Sequence, residues 1–282
     1  MILWLASYPK SGNTWVRIFL STLIYSKNNI VNFEDLSRIR TFPKIRDFNG
    51  LCENVQDRDE LIQKWITAQE ALNLNTDIKI FKTHNVMCNV KGHNFSNLEN
   101  SLGVIYVVRD PRNVLSSIMN HFSISDQKEA KNFIQNDYNW IGLTKNGAKK
   151  VTEIPIYIGS WGFHYNSWKV LPKNYLLIKY EDLLNDPEKE FFKIYEFIKK
   201  FIKIDKEKKI IKKIIDQTSF VNLQEQENKN LFIKNVFDLK SKKKIKFFNL
   251  GPRNNWKHMI DEKISQEIQN TFKKEMSELG YL

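Results

Sequence analysis

The sequence predicts an α/β fold: a central parallel β-sheet flanked by helices on both faces. Three observations carry this expectation. Short apolar runs of strand length alternate with longer stretches whose apolar residues recur every three or four positions. The short runs are predominantly apolar, not alternating, as expected of strands buried on both faces. Polar and basic residues gather just after the carboxyl ends of these runs, where open parallel sheets bind ligands.

Taken in order, Ile2–Ala6 reads as a first strand, followed by a turn and a helix in which Trp15, Ile18, Phe19, Thr22 and Leu23 share one face. Residues 28–56 are polar and irregular, punctuated by Pro43 and Gly50. Glu60–Leu74 reads as a helix with Leu61, Trp65, Ala68 and Leu72 on its apolar side. Ile78–Phe81 is a second strand, and Gly103–Val108 a third that ends at Arg109-Asp110. Pro111 then opens a helix, its missing N–H costing nothing in the first turn. Ser160–Val170 is helical, Tyr175–Lys179 is a fourth strand, and Asp186-Pro187 opens a helix to about Phe201. Ile210–Ile215 is helical, 228–256 a long Lys/Asn-rich loop, and Asp261–Leu279 a closing amphipathic helix. Without an internal repeat or a composition break, residues 1–282 are read as one domain.

At 41% hydrophobic and 27% charged the chain can bury a full core. The net charge of +12 has two readings, an anionic ligand or simply a Lys-, Asn- and Ile-rich composition, so the position of individual basic residues matters more than the total. No recognised nucleic-acid module or Lys/Arg–aromatic interleaving is present, and no nucleic-acid partner is expected. No run of eighteen apolar residues occurs, so no membrane insertion is expected. Met1–Ala6 lacks a basic leader and stops at Ser7-Tyr8-Pro9-Lys10, which favours a buried strand over a signal peptide. Cys52 and Cys88 form neither a metal spacing nor a disulfide framework, in keeping with a reducing, cytoplasmic setting.

The loop Ser7–Trp15 carries the strongest chemical signal. Gly12 lets the backbone bend tightly against a ligand. The amides that follow head a helix, where unpaired donors and the dipole favour an anion. Lys10 adds a full charge, Ser11 and Thr14 add hydroxyls, and Trp15 offers a flat face for a base. The lysine precedes the only glycine, so this is not the Gly-x-x-x-x-Gly-Lys-Ser/Thr loop that holds a metal-bridged triphosphate.

Three blocks in this order resemble the sulfotransferases that use 3′-phosphoadenosine 5′-phosphosulfate (PAPS), of the cytosolic type. Ser7–Trp15 is similar to that family's 5′-phosphosulfate loop, usually Tyr-Pro-Lys-Ser-Gly-Thr-Thr-Trp, with Asn13 the departure. Tyr106–Ser117 is similar to its 3′-phosphate block, in which an Arg ends a strand and a Ser follows eight residues later, here Arg109 and Ser117. Lys82-Thr83-His84 matches its Lys-Thr-His at a strand end. Further on, Tyr180-Glu181-Asp182 and Thr218-Ser219-Phe220 resemble blocks that meet the adenine, through Tyr180, Thr218 and Phe220. Gly251–Lys257 resembles the family's Arg-Lys-Gly-x-x-Gly-Asp-Trp-Lys block, but Asn249-Leu250 stand where its Arg-Lys pair would be, and Arg253 is the candidate to restore the charge.

The resemblance implies a P-loop-like nucleotide-binding (sulfotransferase) fold. It also implies sulfuryl transfer from PAPS to a hydroxyl or amine of a small-molecule acceptor, leaving 3′-phosphoadenosine 5′-phosphate (PAP). His84 becomes the general base, an imidazole being suited to proton transfer near neutrality. Lys10 stabilises the leaving group beside the amides of Gly12, Asn13 and Thr14, Lys82 orients the sulfuryl oxygens, and Ser117 assists at the 3′-phosphate. A sulfuryl group carries less charge than a phosphoryl group, so no metal is required. Acceptor walls are expected from 28–56, 84–95, 120–157 and a lid at 228–250, with Phe33, Phe48, Phe122, Tyr138, Trp140 and the run Lys242–Lys244 among them. A homodimer stays open, since the family's short C-terminal dimerisation segment has no clear counterpart near 257–270. The alternatives are a small-molecule kinase, with Asp110 imitating a metal-binding carboxylate, and a non-catalytic PAP-binding relative.

Overall fold

The computed structural model describes residues 1–75, 77–143, 153–229, 231, 236–237 and 244–282. Its centre is a five-stranded sheet made of β1 (Ile2–Ser7), β2 (Arg40–Thr41), β3 (Lys79–Thr83), β4 (Ser101–Val108) and β5 (Tyr175–Lys179). The spatial order is β2-β3-β1-β4-β5, and every pairing is parallel.

The central strands β1 and β4 are predominantly apolar because each feeds two cores. Ile2, Trp4 and Ala6 of β1, with Val104, Tyr106 and Val108 of β4, point into one. Leu3 and Leu5, with Ile105 and Val107, point into the other. Alternate side chains leave opposite faces of a strand, so both faces must be covered. The helices that follow β1 and β5, α1 (Asn13–Tyr25) and later α8 (Pro187–Ile198), pack on the second face through Phe19 and Phe191, whose rings lie 4.3 Å apart. The first face carries α2 (Arg58–Gln63), α3 (Trp65–Asn73), α4 (Pro111–Phe122), α5 (Gln127–Gln135) and α6 (Trp161–Ser167). The chain completes with α7 (Tyr180–Asn185), α9 (Lys208–Gln217), α10 (Phe220–Asn228), α11 (Glu262–Thr271) and α12 (Lys273–Glu278).

The four predicted strands and the main helices are present, with differences of physical origin. The 28–56 stretch is not merely irregular. Phe33, Leu36, Ile39 and Phe42 are all buried, and their spacing of three suits the 3₁₀ turn at Phe33–Arg38 and the edge strand β2. The helix expected over 60–74 breaks at Lys64, and the closing helix breaks at Phe272; both junctions have near-zero or positive ψ. Helices α5, α7 and α10 were not expected. They are short, and α7 follows its strand without an intervening loop. Part of the expected lid at 228–250, including Lys242 and Lys243, lies outside the described residues.

Candidate functional site

The parallel register sets four side chains in a row. Leu5 lies opposite Lys82 and Ala6 opposite Thr83; Ser7 lies opposite Val107, and Val108 opposite Lys179. The next residue of each strand, Tyr8, His84, Arg109 or Tyr180, therefore stands at one carboxyl edge of the sheet. A cavity of about 400 Å³ opens over this edge, within the range of small-molecule sites.

One wall is the β1–α1 loop. Lys10 (φ 67°) and Gly12 (φ 100°) both adopt left-handed backbone, folding the loop sharply over the end of β1. At Gly12 an added Cβ would lie 2.5 Å from the Tyr180 ring, so both the φ and the close approach require glycine. Helix α1 starts at Asn13 with no capping side chain and no acidic residue in its first turn, leaving its leading amides and dipole directed at the cavity. The Asn13 side chain turns inward: its Nδ2 donates to the Leu5 carbonyl at 3.1 Å and to Ser7 Oγ at 3.2 Å.

Three basic side chains, Lys10, Lys82 and Arg109, line the cavity, and among the described residues that line it there is no Asp or Glu. Arg109 Nη1 donates to the Lys10 carbonyl at 3.3 Å and to Ser117 Oγ at 3.2 Å, and its guanidinium lies 4.2 Å over the Tyr180 ring. Burial, and then the neighbouring Arg109, pull the Lys10 ammonium down to about 8, against a smaller opposing pull from Glu227. Two desolvated like charges that raise each other's cost are stabilised by an anion placed between or beside them. The buried Nε of Arg109 has no partner among the described residues, a further sign of a missing acceptor.

His84 lies beside the loop. Its Nδ1 is 2.7 Å from the Ser7 carbonyl and 3.3 Å from Ser7 Oγ. A carbonyl only accepts, so Nδ1 carries the proton, and Nε2 is the basic nitrogen of the neutral ring. The His84 carbonyl in turn accepts from Nε2 of His164 at 3.1 Å.

The opposite wall comes from 247–254. Glu227, buried on α10, accepts the amides of Phe247 at 2.6 Å and Phe248 at 2.9 Å. Gln224 Nε2 donates to the carbonyls of Phe248 at 2.7 Å and Asn249 at 3.1 Å. The clamp brings the Phe247 ring to 4.8 Å from the Lys10 ammonium. Gly251 (φ 51°) packs under Phe220, whose ring would lie 2.3 Å from an added Cβ. Asn254 knits this wall to α4. Its Nδ2 donates to Ser117 Oγ at 2.9 Å and to the Asn113 carbonyl at 3.0 Å, and its Oδ1 accepts from Ser116 Oγ at 2.7 Å.

Of the residues singled out in the sequence, Lys10, Gly12, Asn13, Thr14, Trp15, Lys82, His84, Arg109, Ser117, Tyr180, Phe220 and Gly251 all line this one cavity. Trp15 meets Tyr180 and Phe191 edge-on at 6.1 and 5.6 Å. Three residues do not reach the cavity wall. Ser11 is fully buried, Thr218 is fully buried with its hydroxyl on the Ile215 carbonyl, and Arg253 is exposed. Asn249 and Leu250 do line it. Of the aromatics expected to wall an acceptor, Phe122 lines the cavity, Phe33 and Phe48 are buried in the cores, Trp140 stacks on Tyr157, and Tyr138 is 83% exposed. Asp110 is not a metal-type carboxylate facing the site: it caps α4 and forms a buried ion pair with Arg112 at 2.6 Å. Asn254, Glu227, Gln224, Phe247 and His164 were not picked out beforehand. Two had a signal: Asn254 by its place within the Gly251–Lys257 block, and Phe247 by its place within the expected 228–250 lid.

Fold and site define a parallel α/β protein in which a glycine-bearing strand–helix turn, Lys10, Lys82, Arg109 and His84 face one cavity at the carboxyl edge of the sheet. Residues 2–280 match the sulfotransferase domain family. The chain is similar to sulfotransferase 1B1 of Canis lupus familiaris, 26% identical over 278 residues, covering 97% of this chain and 82% of the relative. It is also similar to sulfotransferase 1E1 of Rattus norvegicus, 23% identical over 280 residues, with coverage of 96% and 82%. Among solved structures, mouse sulfotransferase SULT7A1 complexed with PAP shares the fold at a TM-score of 0.59 and 18% identity, covering 98% of this chain and 84% of that one. Retinol dehydratase in a complex with retinol and PAP does so at 0.58 and 16%, covering 98% and 81%. The chain belongs to the sulfotransferase family.

Proposed function

We propose that this protein transfers a sulfuryl group from PAPS to a hydroxyl or amine of a small-molecule acceptor. The observation that carries the reading is the convergence of Lys10, Lys82 and Arg109 on a carboxylate-free cavity beside a histidine whose basic nitrogen is Nε2. The residues present fit a nucleotide donor with anionic groups. Gly12 admits close backbone approach, the α1 amides and Lys10 suit the 5′ end, and Arg109 with Ser117 suits a second phosphate. PAPS supplies an activated sulfuryl group on a leaving 5′-phosphate. The acceptor oxygen or nitrogen forms the new bond to sulfur as the bond from sulfur to the 5′-phosphate oxygen breaks. His84 Nε2 takes the acceptor's proton, Lys10 and the leading amides of α1 stabilise the charge growing on the departing oxygen, and Lys82 orients the sulfuryl oxygens. These groups meet the charge without a metal ion.

The deciding experiment is transfer of radiolabelled sulfate from PAPS across a panel of phenols, aliphatic alcohols, amines and sugars, run with the wild type and His84→Ala. Labelled product should form with at least one class. The variant should lose about 10²–10⁴-fold in turnover, the usual contribution of a general base. Undiminished transfer by the variant assigns the base elsewhere. Absence of product with every class, alongside tight PAP binding, favours a non-catalytic PAP-binding role.

A further inference from the structure

We infer that His164 is a positioning residue for His84: from inside the core it fixes the main chain at the end of β3, and so the tautomer and direction of the His84 ring. The inference rests on the reading of His84 as the base and adds a residue that touches neither donor nor acceptor.

The hydrogen bonds have only one consistent polarity. The His84 carbonyl can only accept, so the 3.1 Å contact makes His164 Nε2 a donor. Nδ1 of the neutral ring is then an acceptor, and the Tyr106 hydroxyl at 2.8 Å donates to it. His164 is fully buried, and burial drives it down to about 3, so it stays neutral through the working range and cannot compete as a base. Tyr8 closes on it edge-on with ring centres 5.7 Å apart. The chain of contacts runs from Tyr106 on β4, through His164, to the His84 carbonyl. From the His84 ring it continues to the Ser7 carbonyl, and Asn13 ties the Ser7 hydroxyl to the head of α1.

The same helix holds a second strand end. Trp161, three residues before His164 and so on the same side of α6, donates its Nε1 to the Arg109 carbonyl at 3.1 Å. Ser160 caps the start of α6 by accepting the Phe163 amide. The segment after His84 is held independently: Trp168 Nε1 donates to the Asn85 carbonyl at 3.1 Å, and Asn85 Oδ1 accepts the Tyr157 amide at 3.0 Å. The His84–Asn85 peptide is thus held at both of its polar atoms: its N–H donates to Thr83 Oγ1 at 3.0 Å, a contact local to the strand end, and its carbonyl accepts from His164, the contact that ties it to α6.

The test reads the His84 ring directly, by long-range ¹H–¹⁵N spectra of the full chain, with His84→Ala assigning the resonance. Wild type should show the Nδ1–H tautomer as the dominant neutral form. His164→Leu should lower it to about half while PAP still binds by calorimetry. His164→Gln keeps an N–H for the His84 carbonyl and a carbonyl for Tyr106, and should restore most of the wild-type spectrum. Tyr106→Phe removes only the hydroxyl that orients His164, and should give a smaller shift in the same direction. An unchanged His84 tautomer in a His164→Leu protein that binds PAP overturns the inference, as does an equal shift in the Leu and Gln variants. If His164→Leu does not fold, Tyr106→Phe decides: a shifted tautomer supports the role and an unshifted one rejects it. Failure here leaves the base assignment standing, because that assignment falls only if His84→Ala keeps transferring sulfate.

Discussion

The two walls of the cavity are built by different means. The β1–α1 loop is made of backbone: two left-handed residues, an uncapped helix start and one lysine, braced by the Asn13 amide. The 247–254 wall is made of side-chain contacts between elements far apart in sequence, with Glu227, Gln224 and Asn254 as the fasteners. A backbone cradle tolerates almost no substitution at its turn, whereas a fastened wall loses one contact at a time. The difference gives a ranking that measurements can break.

The largest effect belongs to the loop. Lys10→Met should lower turnover by about 10²-fold while PAP still binds, since the charge matters most where the leaving oxygen develops it. Near-wild-type turnover would remove Lys10 from that role. Gly12→Ala comes next. With φ at 100° and a Cβ 2.5 Å from the Tyr180 ring, it should cost about 1–3 kcal/mol, seen as a lower melting temperature and weaker PAP binding. The third concerns pH. The Lys10 ammonium is held down to about 8, so it loses its charge as pH rises through that value, while a bound anion favours the charged form. PAP affinity should therefore fall about tenfold between pH 7 and pH 9, with proton uptake on binding above pH 8, and Lys10→Met should flatten the dependence. Asn254→Ala should be the mildest, about 1 kcal/mol in PAP affinity, because Ser117 keeps its contact to Arg109. A greater loss for Asn254→Ala than for Gly12→Ala would reverse the ranking and move the grip to the far wall.

The same contrast governs how much was readable in the sequence. Strand ends, the glycine turn and the cations after β1, β3 and β4 are local: a buried apolar run and the residue following it suffice to place Lys10, His84 and Arg109. Long-range fasteners leave no local trace. Glu227 sits in a helix whose polar sequence gives no strong periodicity, and His164 looks like any histidine in an aromatic helix until Tyr106 and His84 are brought to it. Asn13 shows the limit within a recognised motif: its position was marked, but not that its amide would turn inward to brace Ser7. Arg253, proposed as a compensating charge, is exposed beside a wall that Asn249 and Leu250 line, because the 3₁₀ turn at Gly251–Arg253 faces it outward.

Glu227 and Gln224 grip the 247–249 segment by its amides and carbonyls, while the Phe248 ring is seated in the core against Phe220. The backbone grip is indifferent to which side chains the segment carries. Phe247 and Asn249 can be exchanged without breaking these hydrogen bonds, so mutation is free to reshape that side of the chamber while the β1–α1 loop on the opposite side stays unchanged.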